Sequence, residues 1–181
     1  ETRSLDDIEH GLLRGAPDFN EPRIHFAVNC ASIGCPALRP EAYTADRWNA
    51  QLDDQTRRFL RDRSRNRVFR ANPLHLEVSS IFVWYEEDFE RSGGLQAFLS
   101  RYADALGLDA QGVAALREGR AEIDYLDYDW RLNGPPNPDT HGIIDVTKPK
   151  PNAIASAILI ALSAMAHSAL AADDPSTLDR V

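Results

Sequence analysis

Residues 24–38 read Ile24-His25-Phe26-Ala27-Val28-Asn29-Cys30-Ala31-Ser32-Ile33-Gly34-Cys35-Pro36-Ala37-Leu38, and both cysteines of the chain lie within them. Arg23 to Asn29 is short, partly β-branched and bounded by Pro22 and a Cys/Ser/Gly turn, a pattern that favours a buried strand over a helix. The strand runs directly into Cys30, so both thiols fall in one strand-exit turn. Upstream, Ser4 precedes Leu5, Ile8 and Leu12 at helical spacing, with acids in the first turn, and reads as the N-cap of a helix that carries His10 near its end.

Downstream, Glu41 to Leu60 carries Trp48, Leu52 and Phe59 along one stripe, the pattern of an amphipathic helix. Val68-Phe69 and Leu74 to Val78, joined through Asn72-Pro73, predict a hairpin with Leu74, Leu76 and Val78 alternating inward. Ile81 to Phe89, Leu95 to Leu106 and Gln111 to Leu116 predict three short helices broken at Gly93-Gly94 and Gly107. Glu122 to Trp130 returns to extended structure, with Ile123 and Tyr125 on one face. The fold class expected over residues 1–133 is therefore α+β.

Asn133 to Asp139 has proline at three positions and cannot continue a helix or an inner strand, which places a linker over 134–150. The chain has 181 residues, 43% apolar, enough for one sizeable core. A net charge of −8 is the wrong sign for a phosphate-tracking surface, so nucleic acid is not an expected partner. Two cysteines are too few for a disulfide-built miniprotein or a four-cysteine zinc site. No C-x-x-C or H-x-x-x-H spacing is present, and neither a metal nor a cofactor is expected.

The only two lysines, Lys148 and Lys150, immediately precede the apolar stretch Ala153 to Ala166. Lys-Pro-Lys, an apolar run and Ala169-Leu170-Ala171 have the layout of a secretory signal at the wrong end of a chain. Segment 151–181 is thus open to three readings. It is a signal from a joined reading frame, a membrane anchor acting through 153–171, or an apolar C-terminal helix packed on the domain.

Two thiols in one turn suggest either a structural disulfide or a reactive centre in which an imidazole takes the thiol proton and an acid orients the imidazole. In a regular strand His25 and Cys30 point to opposite faces, which makes His10 the better base. Glu9, Glu86, Glu87 and Asp88 are candidate orienters. The second dense segment, Tyr125 to Asn133, supplies aspartates, tyrosines, Trp130 and Arg131 to a cleft or an aromatic edge strand. The arginine run Arg57, Arg58, Arg61, Arg63, Arg65, Arg67 and Arg70 reads first as helix-end charge compensation and second as an anion patch.

Five segments together resemble the DUF547 family, a bacterial and plant domain of unassigned biochemical role. They are Ser4 to Arg14, Pro22 to Ser32, Cys35 to Leu38, Trp84 to Phe89 (Trp-Tyr-Glu-Glu-Asp-Phe) and Tyr128 to Asn133 (Tyr-Asp-Trp-Arg-Leu-Asn). The resemblance implies a papain-like fold, in direct or circularly permuted order. It also implies a Cys-His-acid arrangement carried here by Cys30 or Cys35, His10 and Glu9. Family members commonly have a preceding helix of the Phe-Trp-x-Asn-x-Tyr-Asn type, and this chain is expected to begin after it, with the loss of some core packing. They are often exported, so a periplasmic or cell-envelope location is expected.

The resulting functional expectation is a thiol-dependent hydrolase or transferase acting on an amide, a thioester or a small thiol compound, including peptide substrates. His25, Asn29, Ser32, Asp129 and Trp130 are the expected substrate contacts. The alternative is a non-catalytic envelope binding module held by a Cys30–Cys35 disulfide.

Overall fold

The computed structural model describes Asp7, His10, Gly11, Arg14 and residues 20–134. The expected Ser4-capped helix, Glu9, most of the linker and the apolar segment 151–181 lie outside the described residues. What is described is α+β. A 3-10 turn at Pro22–Phe26 is followed by α1 (Trp48–Arg61), β1 (Arg67–Phe69), β2 (His75–Ser79), α2 (Ile81–Trp84) and α3 (Glu86–Arg91). Then come α4 (Leu95–Arg101), α5 (Ala103–Leu106), α6 (Ala110–Arg117) and β3 (Glu122–Leu126). Among the described residues no helix is long and apolar enough to cross a membrane.

The hairpin forms as its alternation predicts. β1 runs antiparallel to β2, pairing Val68 with Leu76 and Phe69 with His75. Leu76 and Val78 are fully buried because β2 is the central strand. β3 then joins β2 in parallel, with Leu76 opposite Ile123 and Val78 opposite Tyr125. A parallel neighbour requires a long crossover, which the helices between Ile81 and Arg117 supply.

Those helices are shorter than their hydrophobic pattern suggests. The stretch expected as one helix over 81–89 is split at Tyr85, and that over 95–106 is split at Tyr102. Each break lets the following turn rotate so that Phe82, Phe89, Phe98 and Leu106 all face one core. Gly94 and Gly107 both have positive φ, 91° and 72°, and end or begin helices where an L side chain would be strained. The centre of the core is aromatic. Phe26 lies 4.8 Å from Phe59, and Phe89 lies 5.0 Å from both Phe82 and Phe98, ring centre to ring centre.

Two expectations are corrected. The strand expected over Arg23 to Asn29 is a 3-10 turn, because Pro22 presets the first helical position and the Glu21 carboxylate accepts from the Arg23 amide. Ile24, His25 and Phe26 are consequently buried in succession rather than alternately. The amphipathic helix begins at Trp48, not Glu41. Residues before it are held outside the helix by Gln51, whose side-chain amide accepts from the Thr44 N–H and donates to the Ala42 carbonyl, and a turn at 45–47 leads into α1.

Of the seven clustered arginines, five are engaged within the fold. Arg57 pairs with Asp53 and Asp104, Arg67 with Glu77, and Arg63 and Arg70 donate to carbonyls around Leu106 and Gly107. Arg65 reaches the cysteine turn, donating to the carbonyls of Ile33 and Gly34. The run therefore serves mainly to tie the end of α1 to its neighbours.

Candidate functional site

The cysteine turn is clamped at many points. A disulfide joins Cys30 to Cys35, with their Cα atoms 6.1 Å apart. Asn29 accepts from the Ala31 N–H at 2.8 Å and donates to the Pro36 carbonyl, bracketing the turn from within. Ala31 sits at φ 61°, a conformation that L residues adopt at a cost of about 1 kcal/mol. Its carbonyl accepts from the Asn133 N–H at 2.8 Å. Ile33 and Gly34 donate to the carbonyls of Arg131 and Asp129, so the dense segment after β3 is a strap laid along the turn.

Tyr128 ties the strap to the sulfur. Its hydroxyl accepts from Ser32 Oγ at 2.9 Å and lies 3.4 Å from Cys30 Sγ. Ser32 Oγ itself lies 3.1 Å from Cys30 Sγ, so the two hydroxyls form one small network beside a sulfur that only accepts. Burial pushes the Tyr128 phenol up, so it stays protonated and able to donate. Cys35 Sγ accepts from the Cys30 backbone N–H at 2.8 Å. The two sulfurs thus differ: Cys35 is buried and held by an amide, whereas Cys30 is half-buried beside hydroxyls.

Across the cleft, His25 Nε2 lies 2.8 Å from Asp88 Oδ2, and both residues are buried. Burial alone would raise the Asp88 carboxyl. Hydrogen bonds from His25 and Arg14 outweigh it and hold the group well below the usual carboxylate range. An ionised carboxylate only accepts, so Nε2 carries the proton of that bond, and any further proton His25 takes up goes to Nδ1. The ring is clamped against Tyr85, their centres 3.7 Å apart and nearly parallel. Asp88 also receives Arg14 Nε at 2.7 Å and the Arg91 guanidinium.

His25, Cys30 and Cys35 line one shallow cleft of about 40 Å³, walled by Val28, Pro36, Ile81, Trp84, Tyr85, Tyr128 and Trp130. Residues 1–60 match the model of a family described as Protein of unknown function, DUF547. This segment carries the DUF547 pattern. Three of the five resembling segments lie inside the DUF547 match, and Trp84 to Phe89 and Tyr128 to Asn133 lie beyond it. Those two meet the DUF547 segment in space, Tyr128 accepting from Ser32 and Asp88 binding His25, and they meet each other where Trp84 stacks on Trp130 at 5.4 Å. No curated protein and no solved structure matches the chain.

The site residues expected from sequence are placed as follows. His10 is exposed, and its Nδ1 accepts from Arg14 Nη1 at 2.8 Å, which links it to Asp88 through Arg14. It is not among the residues lining the sulfur cleft, and Glu9 lies outside the described residues. Trp130 lines the cleft with His25. Asn29 and Ser32 hold the turn, and Asp129 pairs with Arg131 at 2.6 Å within the strap.

A strand over Arg23 to Asn29 would hold His25 on the face opposite Cys30. Once that segment is a 3-10 turn, strand alternation no longer separates the ring from the sulfurs. Asp88 was one acid among four candidates. Its signal is its place beside Phe89, the most deeply buried residue of α3. Arg14 and the Tyr128 hydroxyl carry no comparable mark in the sequence, since their roles depend on contacts 74 and 98 residues away. Among the described residues no group of three or more His, Cys, Asp or Glu could hold a metal ion.

Proposed function

We propose that the chain is a papain-like, thiol-dependent hydrolase or transferase of the cell envelope acting on an amide, a thioester or a small thiol compound. The disulfide is its resting, oxidised form. Its machinery is a cysteine of the Cys30–Cys35 pair, His25 as base and Asp88 as orienter, with the apolar segment after 151 serving its export or anchoring. The observation that carries this reading is His25, buried and paired with Asp88, lining the same cleft as both sulfurs. After reduction a thiol passes its proton to His25 Nδ1, and the thiolate attacks the acyl carbon. The leaving amine or thiol takes that proton back, and water or a second thiol then releases the acyl group. Asp88 stabilises the imidazolium formed between the two steps.

A binding module is the second reading, favoured by the disulfide itself and by the aromatic walls Trp84 and Trp130. Alkylation of the reduced chain separates the two. With iodoacetamide near neutral pH, one cysteine is expected to react about tenfold faster than a free thiol, and His25→Ala is expected to remove the advantage. Two cysteines that alkylate no faster than a free thiol in a folded, reduced chain would overturn the enzymatic reading and support the module.

A further inference from the structure

We propose that the oxidised cleft exchanges with a small uncharged thiol in one fixed direction, with Cys30 attacked and Cys35 leaving. This rests on the reading of the cleft as a thiol site and adds the polarity of its activation and the class of its co-substrate. Three observations carry it. First, access is unequal, since Cys35 is buried whereas Cys30 is half-buried. Second, a disulfide breaks faster toward the sulfur that better bears negative charge. Cys35 Sγ already accepts a backbone N–H at 2.8 Å, and that bond strengthens when the sulfur becomes anionic. The neighbours of Cys30 Sγ are farther, the Ser32 hydroxyl at 3.1 Å, which already gives its proton to Tyr128, and the Tyr128 hydroxyl at 3.4 Å. Third, among the described residues the cleft is lined by no Lys, Arg, Asp or Glu. Its walls include Val28, Pro36, Ile81, Trp84 and Trp130. A charged thiol entering it would lose hydration without gaining a fixed counter-charge.

The steps balance. The thiolate of the external thiol attacks Cys30 Sγ, the Cys30–Cys35 bond breaks, and its electron pair stays on Cys35, leaving a mixed disulfide on Cys30. A second thiolate attacks the outer sulfur of that mixed disulfide and frees Cys30. Two external thiols are oxidised to one disulfide, and the protein gains two electrons and two protons. The product is the dithiol on which acyl transfer would depend.

The test uses the oxidised full chain and β-mercaptoethanol, acid-quenched at partial reaction, alkylated, and sequenced by fragment ions across the peptide that holds both cysteines. The adduct is expected on Cys30 in about tenfold or greater excess over Cys35. An adduct on Cys35, or an even split, would overturn the direction. Rates with β-mercaptoethanol, 2-mercaptoethanesulfonate and glutathione, each divided by that thiol's rate with a model peptide disulfide, are expected to favour the uncharged thiol about tenfold. Equal normalised rates would overturn the co-substrate class. The two proposals fail separately. Ordinary alkylation rates in the reduced chain, together with an adduct confined to Cys30, would sink acyl transfer and leave exchange standing. Fast His25-dependent alkylation with an evenly split adduct would do the reverse.

Discussion

Asp88 is the residue on which the candidate site converges, since one carboxylate serves His25, Arg14 and Arg91 together. Its folded pKa is depressed below the unfolded value near 4, so it contributes stability that is complete above about pH 4 and drains away as pH falls further. Acid unfolding monitored by circular dichroism is expected to begin in that window, and Asp88→Asn is expected to flatten the wild-type dependence there. At neutral pH the same substitution leaves a buried imidazole and two guanidinium groups without their anion. Its expected cost is about 3 kcal/mol, read from denaturant midpoints. Gly34 is the other sensitive position. A Cβ there would stand 2.8 Å from the Tyr128 ring, which Trp84 and Trp130 hold on the far side. Gly34→Ala is expected to cost about 1–3 kcal/mol and to loosen the strap from the cysteine turn, seen as faster amide exchange at Ile33 and Gly34.

At the scale of elements, α1 separates function from support. Its inward stripe holds Leu52, Phe59 and Leu60 at no more than 4% exposure, and Phe59 packs on Phe26, the neighbour of His25. Phe59→Ala is expected to lower stability by about 3–5 kcal/mol, a fall in melting temperature that calorimetry resolves. The arginines at the end of this helix work differently. Arg65 pins the cysteine turn through two carbonyls, whereas Arg57 pairs with half-exposed or exposed aspartates, a kind of contact worth about 1 kcal/mol or less. The strap after β3 is irregular because its amides and carbonyls are spent on the cysteine turn rather than on a neighbouring strand.

For the molecule as a whole, the disulfide closes only a short loop, and the turn it closes is held independently by Asn29, Arg65, Tyr128 and the strap. Loop entropy for so short a link is worth about 2 kcal/mol, too little to carry the fold. Reduction is therefore expected to lower the melting temperature by several degrees while leaving far-ultraviolet circular dichroism intact, as an activating step requires. A chain that unfolds on reduction would show the bridge to be structural and would tell against a dithiol working form.

The α+β class, the hairpin, the central burial of Leu76 and Val78, the amphipathic character of α1 and the placing of both thiols in one turn were legible in the sequence. Each depends on neighbours a few residues apart, where periodicity and turn chemistry act directly. The turn at Pro22–Phe26 is not legible in composition, since its β-branched and aromatic residues favour a strand while Pro22 starts a helical turn. The union of His25 with Asp88, the reach of Arg65 to Ile33 and Gly34, and the pairing of Tyr128 with Ser32 and Cys30 belong to tertiary structure alone. They join groups 31 to 98 residues apart through the packing of a shared aromatic core, and local spacing carries no record of which faces that core brings together.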